Sequence, residues 1–257
     1  MLYQTLNYQR KENVGTISII GPVDNQVKLV RLSYELTELC DGIAWDEEIR
    51  VVIVAGAGEI SLPMAKGSSG VIPKANEEQT LQFSSIAEPI AKLDRPVIAA
   101  VNGNVIGQGL ELALACDIRI AAETSRFGLP HIREGLIPRD GGTQRLSRLV
   151  GRGKALEMVL TGEMIDVQEA YRIGLVNKIV PSGELIATVT NMAREMASKG
   201  SIALRYAKEA IYKGMDLTME QGLRLEADLY FLLHTTKDRT EGIQAFREKK
   251  TPKFEGR

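Results

Sequence analysis

The stretch "PVIAAVNGNVIGQGLELALACDIRIAAETSRFG", residues 96–128, decides the fold class. Its first segment, "PVIAAVNG", is a short, nearly all-apolar run ending at Gly, the signature of a strand buried on both faces. "GLELALACD" follows as an apolar helix opening after glycines, and "IRIAAETSRFG" reads as a further strand and turn. A strand, a helix and a strand in that order imply parallel strands joined by a crossover helix.

The alternation extends toward the N-terminus. "VGTISII" (14–20) carries the β-branched residues of a strand, and "RVVIVAG" (50–56) repeats the buried-strand pattern. Between them, "KLVRLSYELTELCDGIAWD" spaces Leu29, Leu32, Leu36, Leu39 and Ile43 at helical intervals. "TLQFSSIAEPIAKLD" (80–94) predicts a helix kinked or broken at Pro89. From about Lys154 the character changes. "KALEMVLTG", "DVQEAYRIG", "GELIATVTNMAREMASKG" and "SIALRYAKEAIYKGM" are amphipathic helical stretches separated by glycines and short turns. "LVNKIVP" is a candidate last strand, "TMEQGLRLEADLYFLLHTT" a long helix and "GIQAFREKKTPKFEGR" a polar tail. The expected plan is an α/β core domain over residues 1–195 and a helical C-terminal region over 196–257.

Composition narrows the function classes. A net charge of −1 gives no global field for nucleic acid or an anionic membrane, so neither is expected as a partner. Two cysteines, Cys40 and Cys116, are too few for a disulfide scaffold, and no Cys/His cluster suggests a metal. The first residues lack the apolar core of a signal peptide, and no apolar run is long enough to span a bilayer. A cytoplasmic protein without metal is the expectation.

Ligands in open α/β sheets favour the carboxyl ends of strands. Three segments lie there: "GAGEISLPMAKGSSG" after residues 51–54, "NGNVIGQGLELA" after 97–101, and "FGLPHIREGLIPRDGGTQRL" at 127–146. Glycines in the first two let backbone approach a ligand, and N–H groups at a helix start can stabilise developing negative charge. Neither a P-loop nor a GxGxxG dinucleotide fingerprint is present. Glu111 sits between Leu110 and Leu112 in an apolar helix, where an unpaired charge is costly to bury. His131 is one of only two histidines, and Asp140 follows nine residues later, just before a Gly-Gly pair. On the residues alone, the glycine loops read as plain turns and His131 as a structural side chain.

The continuous segment from "RPVIAAVNGNVIGQGLELALACD" through "FGLPHIREGLIPRDGGTQRL" to "AYRIGLVNKIVP", with the closing "DRTEGIQAFREKKTPKFEG", resembles the crotonase (enoyl-CoA hydratase/isomerase) superfamily. The N-terminal third matches more loosely, with "GPVDNQVKLV" in place of the usual Asn-Arg-Pro segment. The resemblance implies a (ββα)n spiral core followed by helices, an acyl-CoA thioester substrate, and two backbone N–H groups that hold the thioester oxygen. By motif position those donors are Ala65, in "LPMAK", and Gln108, where glycine is common. No cofactor is implied, because coenzyme A is part of the substrate. Phe246 and Lys249, in "AFREKK", match residues that meet the CoA nucleotide, often in a neighbouring subunit's site. A trimer or dimer of trimers, formed through the C-terminal region, is implied in the same way.

The resemblance also marks a departure. Typical hydratases use two glutamates to position one water and transfer its protons. The first corresponds to Glu111, but the second position holds His131. Glu134, three residues on, stands where the family is usually apolar. An imidazole titrates in the right range for acid–base work near neutral pH. Asp140 is expected either to steer that imidazole, as in the β-diketone hydrolase branch typified by 6-oxocamphor hydrolase, or to cap the helix that follows it. The leading expectation is therefore a hydro-lyase acting on an enoyl-, dienoyl- or alicyclic CoA ester. The alternatives are a C–C hydrolase of a β-diketone or β-oxoacyl substrate using His131 and Asp140, and a catalytically weak acyl-CoA-binding scaffold.

Overall fold

The computed structural model describes residues 3–56 and 84–257. The chain opens with an antiparallel hairpin of β1 (Leu6–Lys11) and β2 (Val14–Ile19), in which Leu6 pairs with Ile19. The strands β3 (Val51–Ala55), β4 (Val97–Val101), β6 (Ile118–Ala122) and β9 (Lys178–Val180) add in parallel, giving the sheet order β1-β2-β3-β4-β6-β9. A second, smaller sheet is built from β5 (Asn104–Ile106), β7 (Arg126–Gly128) and β8 (Ile165–Asp166). The chain therefore visits both sheets in turn: β4 then β5 before the helix α3 (Gln108–Ala115), and β6 then β7 before the next helical turn. This is the strand-strand-helix unit of the expected spiral, with helices following it toward the C-terminus.

Side-chain alternation explains why the central strands are apolar throughout. Val52 and Val54 of β3 face one core with Leu29, Leu32 and Leu36 of α1 (Gln26–Trp45). Val51 and Ile53 face a second core on the other side, covered by Leu185, Val189 and Ala193 of α7 (Leu185–Ala197). Burying both faces removes any need for a polar position. The carboxyl end of α1 is closed by Arg95, only 1% exposed, whose guanidinium donates to the carbonyls of Ile43, Ala44, Asp46 and Ile49. Its fork of donors satisfies carbonyls left without intrahelical partners.

The helix expected over 80–94 is, among the described residues, the short α2 (Ala87–Ala91). Pro89 lies in its first turn, where a missing N–H costs nothing. Past β7 a 3-10 turn spans Pro130–Glu134, then come α4 (Gly142–Val150), α5 (Arg152–Thr161) and α6 (Val167–Arg172). Helix α7 runs through position 195, where the core was expected to end, and lies on the sheet as part of its cover. The last helices are α8 (Ser201–Gly214), α9 (Met219–Leu233) and α10 (Lys237–Glu248). Lys208 ties α8 to the core by donating to Asp117 Oδ2 at 2.9 Å and to the Arg95 carbonyl at 3.0 Å.

Among the described residues no helix is long and apolar enough to cross a membrane. No cluster of metal-ligating side chains occurs among them either. Cys40 and Cys116 are buried, and burial pushes both thiols up to about 12.

Candidate active site

The site is built where β5, β7 and α3 meet. The N–H of Gly107 donates to the carbonyl of Gly128 at 2.9 Å, which joins the ends of β5 and β7. Gly107 then turns the chain into α3 with φ 57° and ψ −124°. That backbone favours glycine. A Cβ built there would sit 3.8 Å from His131 Cε1 and Nε2, so the bare backbone lies alongside the imidazole. Because Gly107 absorbs the unusual turn, Gln108 is not among the residues with positive φ. As the first residue of α3, its N–H has no carbonyl one turn back to donate to. The side-chain oxygen of Gln108 is buried without a partner among the described residues.

Glu111 follows one turn into α3 and is fully buried. Its Oε1 accepts two backbone hydrogen bonds, from Asp140 N at 2.7 Å and Gly142 N at 2.9 Å. Gly142 must be glycine for this: a Cβ there would come 3.0 Å from Oε1 and 2.7 Å from Pro138 Cβ. The second oxygen, Oε2, has no hydrogen-bond partner among the described residues and faces His131 Nε2 at 3.8 Å. That separation is too long for a direct hydrogen bond. Burial raises the Glu111 carboxyl to about 7, against the opposing pull of its two N–H bonds. Burial acts in the opposite direction on His131, itself only 7% exposed, and holds its imidazole below the usual value. Near neutral pH the imidazole is therefore on its neutral side and the Glu111 carboxyl is about half protonated.

Asp140 does not face His131. Its Oδ1 accepts from Ser85 Oγ, and its Oδ2 accepts from the N–H groups of Ile86 at 2.8 Å and Ala87 at 3.0 Å. The expected His131–Asp140 pair is therefore corrected. Asp140 caps a helix, but the one it caps is α2, whose N-cap Ile86 lies fifty-four positions earlier, and not α4. Helix α4 is entered through Gly141 at φ 95°. The reason is geometric: the Asp140 N–H is committed to Glu111, and its carboxylate lies toward the unsatisfied N–H groups that open α2.

The structure brings Gln108, Glu111, His131 and Asp140 into one cluster. Ala65 lies outside the described residues. Phe246 on α10, 86% exposed, and Lys249, the C-cap of α10 at φ 54°, take no part in the hydrogen bonds or ion pairs around Glu111. His234 stacks on Phe231 and bonds to the Tyr230 carbonyl, a local role at the end of α9. Sequence reasoning did not single out Gly107, Gly142 or Ser85 as site residues. The Gly-Gly pair at 141–142 was the available signal for the anchor of Glu111.

A buried carboxyl facing a buried imidazole at the head of a helix, set in this strand-strand-helix spiral, belongs to an enzyme of the crotonase fold. The profile of the enoyl-CoA hydratase/isomerase family matches residues 9–257, and the chain belongs to that family. It is 46% identical over 253 residues to 2,3-dehydroadipyl-CoA hydratase of Escherichia coli, covering 96% of this chain and 97% of that protein. It is 34% identical over 258 residues to crotonyl-CoA hydratase of Syntrophomonas wolfei, covering 99% of each. Among solved structures, an enoyl-CoA hydratase from Bacillus anthracis superposes with a TM-score of 0.87 at 38% identity, covering 99% of this chain and 100% of that one.

Proposed function

We propose that this chain is a hydro-lyase that adds water reversibly across the double bond of an enoyl-CoA thioester. The observation that carries the reading is the Glu111–His131 pair: one carboxyl oxygen is fixed by two N–H groups, and the other faces an imidazole nitrogen across 3.8 Å. A water between Oε2 and Nε2 has an acceptor on one side and a proton carrier on the other. His131, neutral in the resting site, takes a proton from the water as its oxygen bonds to the β-carbon. The π electrons move onto the thioester oxygen, and the N–H of Gln108, with that of Ala65, holds the resulting enolate. Glu111 in its acid form delivers a proton to the α-carbon. Transfer of the proton from the imidazolium to the Glu111 carboxylate restores the pair. One water is consumed and no net proton is gained or lost.

Phe246 and Lys249 are assigned to the CoA nucleotide, the lysine as a partner for phosphate. Their position on the far C-terminal helix fits a role in a neighbouring subunit's site, within a trimer or dimer of trimers. Exposed apolar side chains on α8 and α9, among them Ile211, Tyr212, Leu223 and Phe231, support self-association through this region. The C–C hydrolase alternative loses its steering acid, since both Asp140 oxygens are engaged elsewhere. That reading rests on His131 alone.

The test incubates the protein with crotonyl-CoA, 2,3-dehydroadipyl-CoA, a cyclic dienoyl-CoA and a cyclic β-diketone, followed by mass analysis. Gain of one water with the carbon skeleton intact is expected for at least one CoA ester. Ring opening of the diketone without CoA-ester turnover would establish the hydrolase instead, and CoA-ester binding without turnover the scaffold. Glu111→Gln is expected to lower turnover by about two to four orders of magnitude while CoA-ester binding persists.

A further inference from the structure

We propose that Asp140 is a positioning residue that sets the aim of Glu111, by clamping the loop before α4 to the start of α2. The clamp can be traced atom by atom. Ser33 Oγ on α1 donates to the Ser85 carbonyl at 2.7 Å. Ser85 Oγ donates to Asp140 Oδ1 and accepts from Glu88 N at 2.8 Å. Ile86 N and Ala87 N donate to Asp140 Oδ2. On its other side the Asp140 N–H donates to Glu111 Oε1 at 2.7 Å, and the Asp140 carbonyl accepts from Arg145 Nη1 at 2.8 Å. Carboxylate, N–H and carbonyl of this one residue are all engaged, and they tie α1, α2, α3 and α4 together around the catalytic carboxyl.

The consequence for chemistry is directional. Glu111 has two oxygens, and only Oε2 faces His131. The two N–H bonds to Oε1 fix the carboxyl rotamer so that Oε2 points that way. One of those N–H groups belongs to Asp140, whose backbone is held in place by its own side chain's grip on residues 85–87. A side chain unable to accept from those N–H groups frees the loop, and the carboxyl can turn. The Asp140 charge acts as well. The charged or titratable groups facing Glu111 are His131 from the 3-10 turn, and Arg139 and Asp140 from the loop. The Asp140 N–H, like that of Gly142, lowers the Glu111 carboxyl, while to a lesser extent the Asp140 charge raises it and Arg139 lowers it.

The inference rests on the catalytic role proposed for Glu111, so the test needs a readout independent of turnover. The titration of Glu111 is followed by carbon-13 NMR on glutamate-labelled protein, with Glu111→Gln to assign the signal. Asp140→Asn keeps an acceptor for Ile86 and Ala87 but removes the charge. It is expected to shift the Glu111 midpoint to lower pH and to lower kcat by less than Asp140→Ala does. Asp140→Ala removes the clamp. It is expected to lower kcat by about 10- to 100-fold, with KM for the CoA ester changed by less than about threefold. Ser85→Ala is expected to fall between the two. Asp140→Ala and Asp140→Asn that merely lower the melting temperature, with the Glu111 titration and kcat unmoved, would overturn the inference. If no CoA ester is hydrated by wild type, the functional reading fails while the titration shift still reports on the clamp.

Discussion

Helices α3 and α9 are both legible as helices in the sequence, yet they end in opposite surroundings. All eight residues of α3 are buried, including Glu111. Of the fifteen residues of α9 only Leu229 is buried, while Met219, Leu223, Tyr230 and Phe231 are exposed. The first region is completed by its own chain: two sheets, α2 and α4 close over α3, and every backbone group that anchors Glu111 comes from the same subunit. The second region is attached to the core at few points, and α8 and α9 pack mainly on each other. The contrast teaches that the carboxyl–imidazole pair is held by groups of its own chain, while the apolar face of α9 stands exposed among the described residues. A carboxyl can be buried at α3 because the surrounding backbone is rigid enough to hold two N–H groups on it. No comparable polar network exists around the exposed stripe of α9 among the described residues.

Substitutions separate the two regions, and the largest effect is expected at Glu111. Its carboxyl titrates at about 7 in the folded chain against an ordinary value of 4.5. An acid with a raised folded value keeps its proton longer than the unfolded chain does, so stability falls as pH rises between those two values. Glu111→Gln removes that loss. The variant is expected to gain up to about 3 kcal/mol over wild type above pH 7 relative to its difference at pH 4, read from urea unfolding at both pH values. A pH-independent difference would show that Glu111 is not desolvated as the structure describes. This gain in stability alongside lost turnover is the usual price of a functional buried acid.

Gly142→Ala comes next. Its Cβ would press on Pro138 and on Glu111 Oε1, so it is expected to destabilise by about 2 kcal/mol and to cut turnover by about a hundredfold. Wild-type kinetics in this variant would remove the Gly142 N–H from the anchor. Arg50 joins the two regions: it donates to the carbonyls of Ala197 at 3.2 Å and Phe254 at 2.7 Å. Arg50→Met is expected to cost about 1–2 kcal/mol and to speed amide exchange in residues 254–257 while α3 exchange is unchanged. The smallest effect on the isolated chain is expected from Phe231→Ser, within about 0.5 kcal/mol. Its effect on assembly is the informative one: sedimentation should show dissociation at higher protein concentration than for wild type. Equal association of both would remove α9 from the interface.

Much of this architecture was legible in the sequence. The strands β3, β4 and β6 announce themselves because burial on both faces leaves runs such as "VVIVA" with no polar position. Helix α1 was legible because Leu29, Leu32, Leu36 and Leu39 face one core. The strand β1 was not, because "LNYQRK" is an edge strand with mostly polar, exposed residues. Strands of two or three residues, such as β5 and β8, carry too few positions for any period to show. Helix α2 was overextended in the sequence reading for a different reason. The N–H groups of Ile86 and Ala87 are taken by Asp140, so the regular hydrogen-bond ladder starts only after them.

The sequence by itself determined the class of fold, the family pattern and the placing of Glu111 and His131 at the ends of buried strands. The first follows from local periodicity, and the others from the resemblance to a family pattern carried by one stretch of chain. Only the tertiary structure decided what Asp140 does. Nine residues separate it from His131, and the family resemblance left open whether it paired with His131 or capped the next helix. Its hydrogen bonds instead reach residues more than fifty positions earlier, because a carboxylate is drawn to unsatisfied N–H groups at a helix start wherever the fold brings one near.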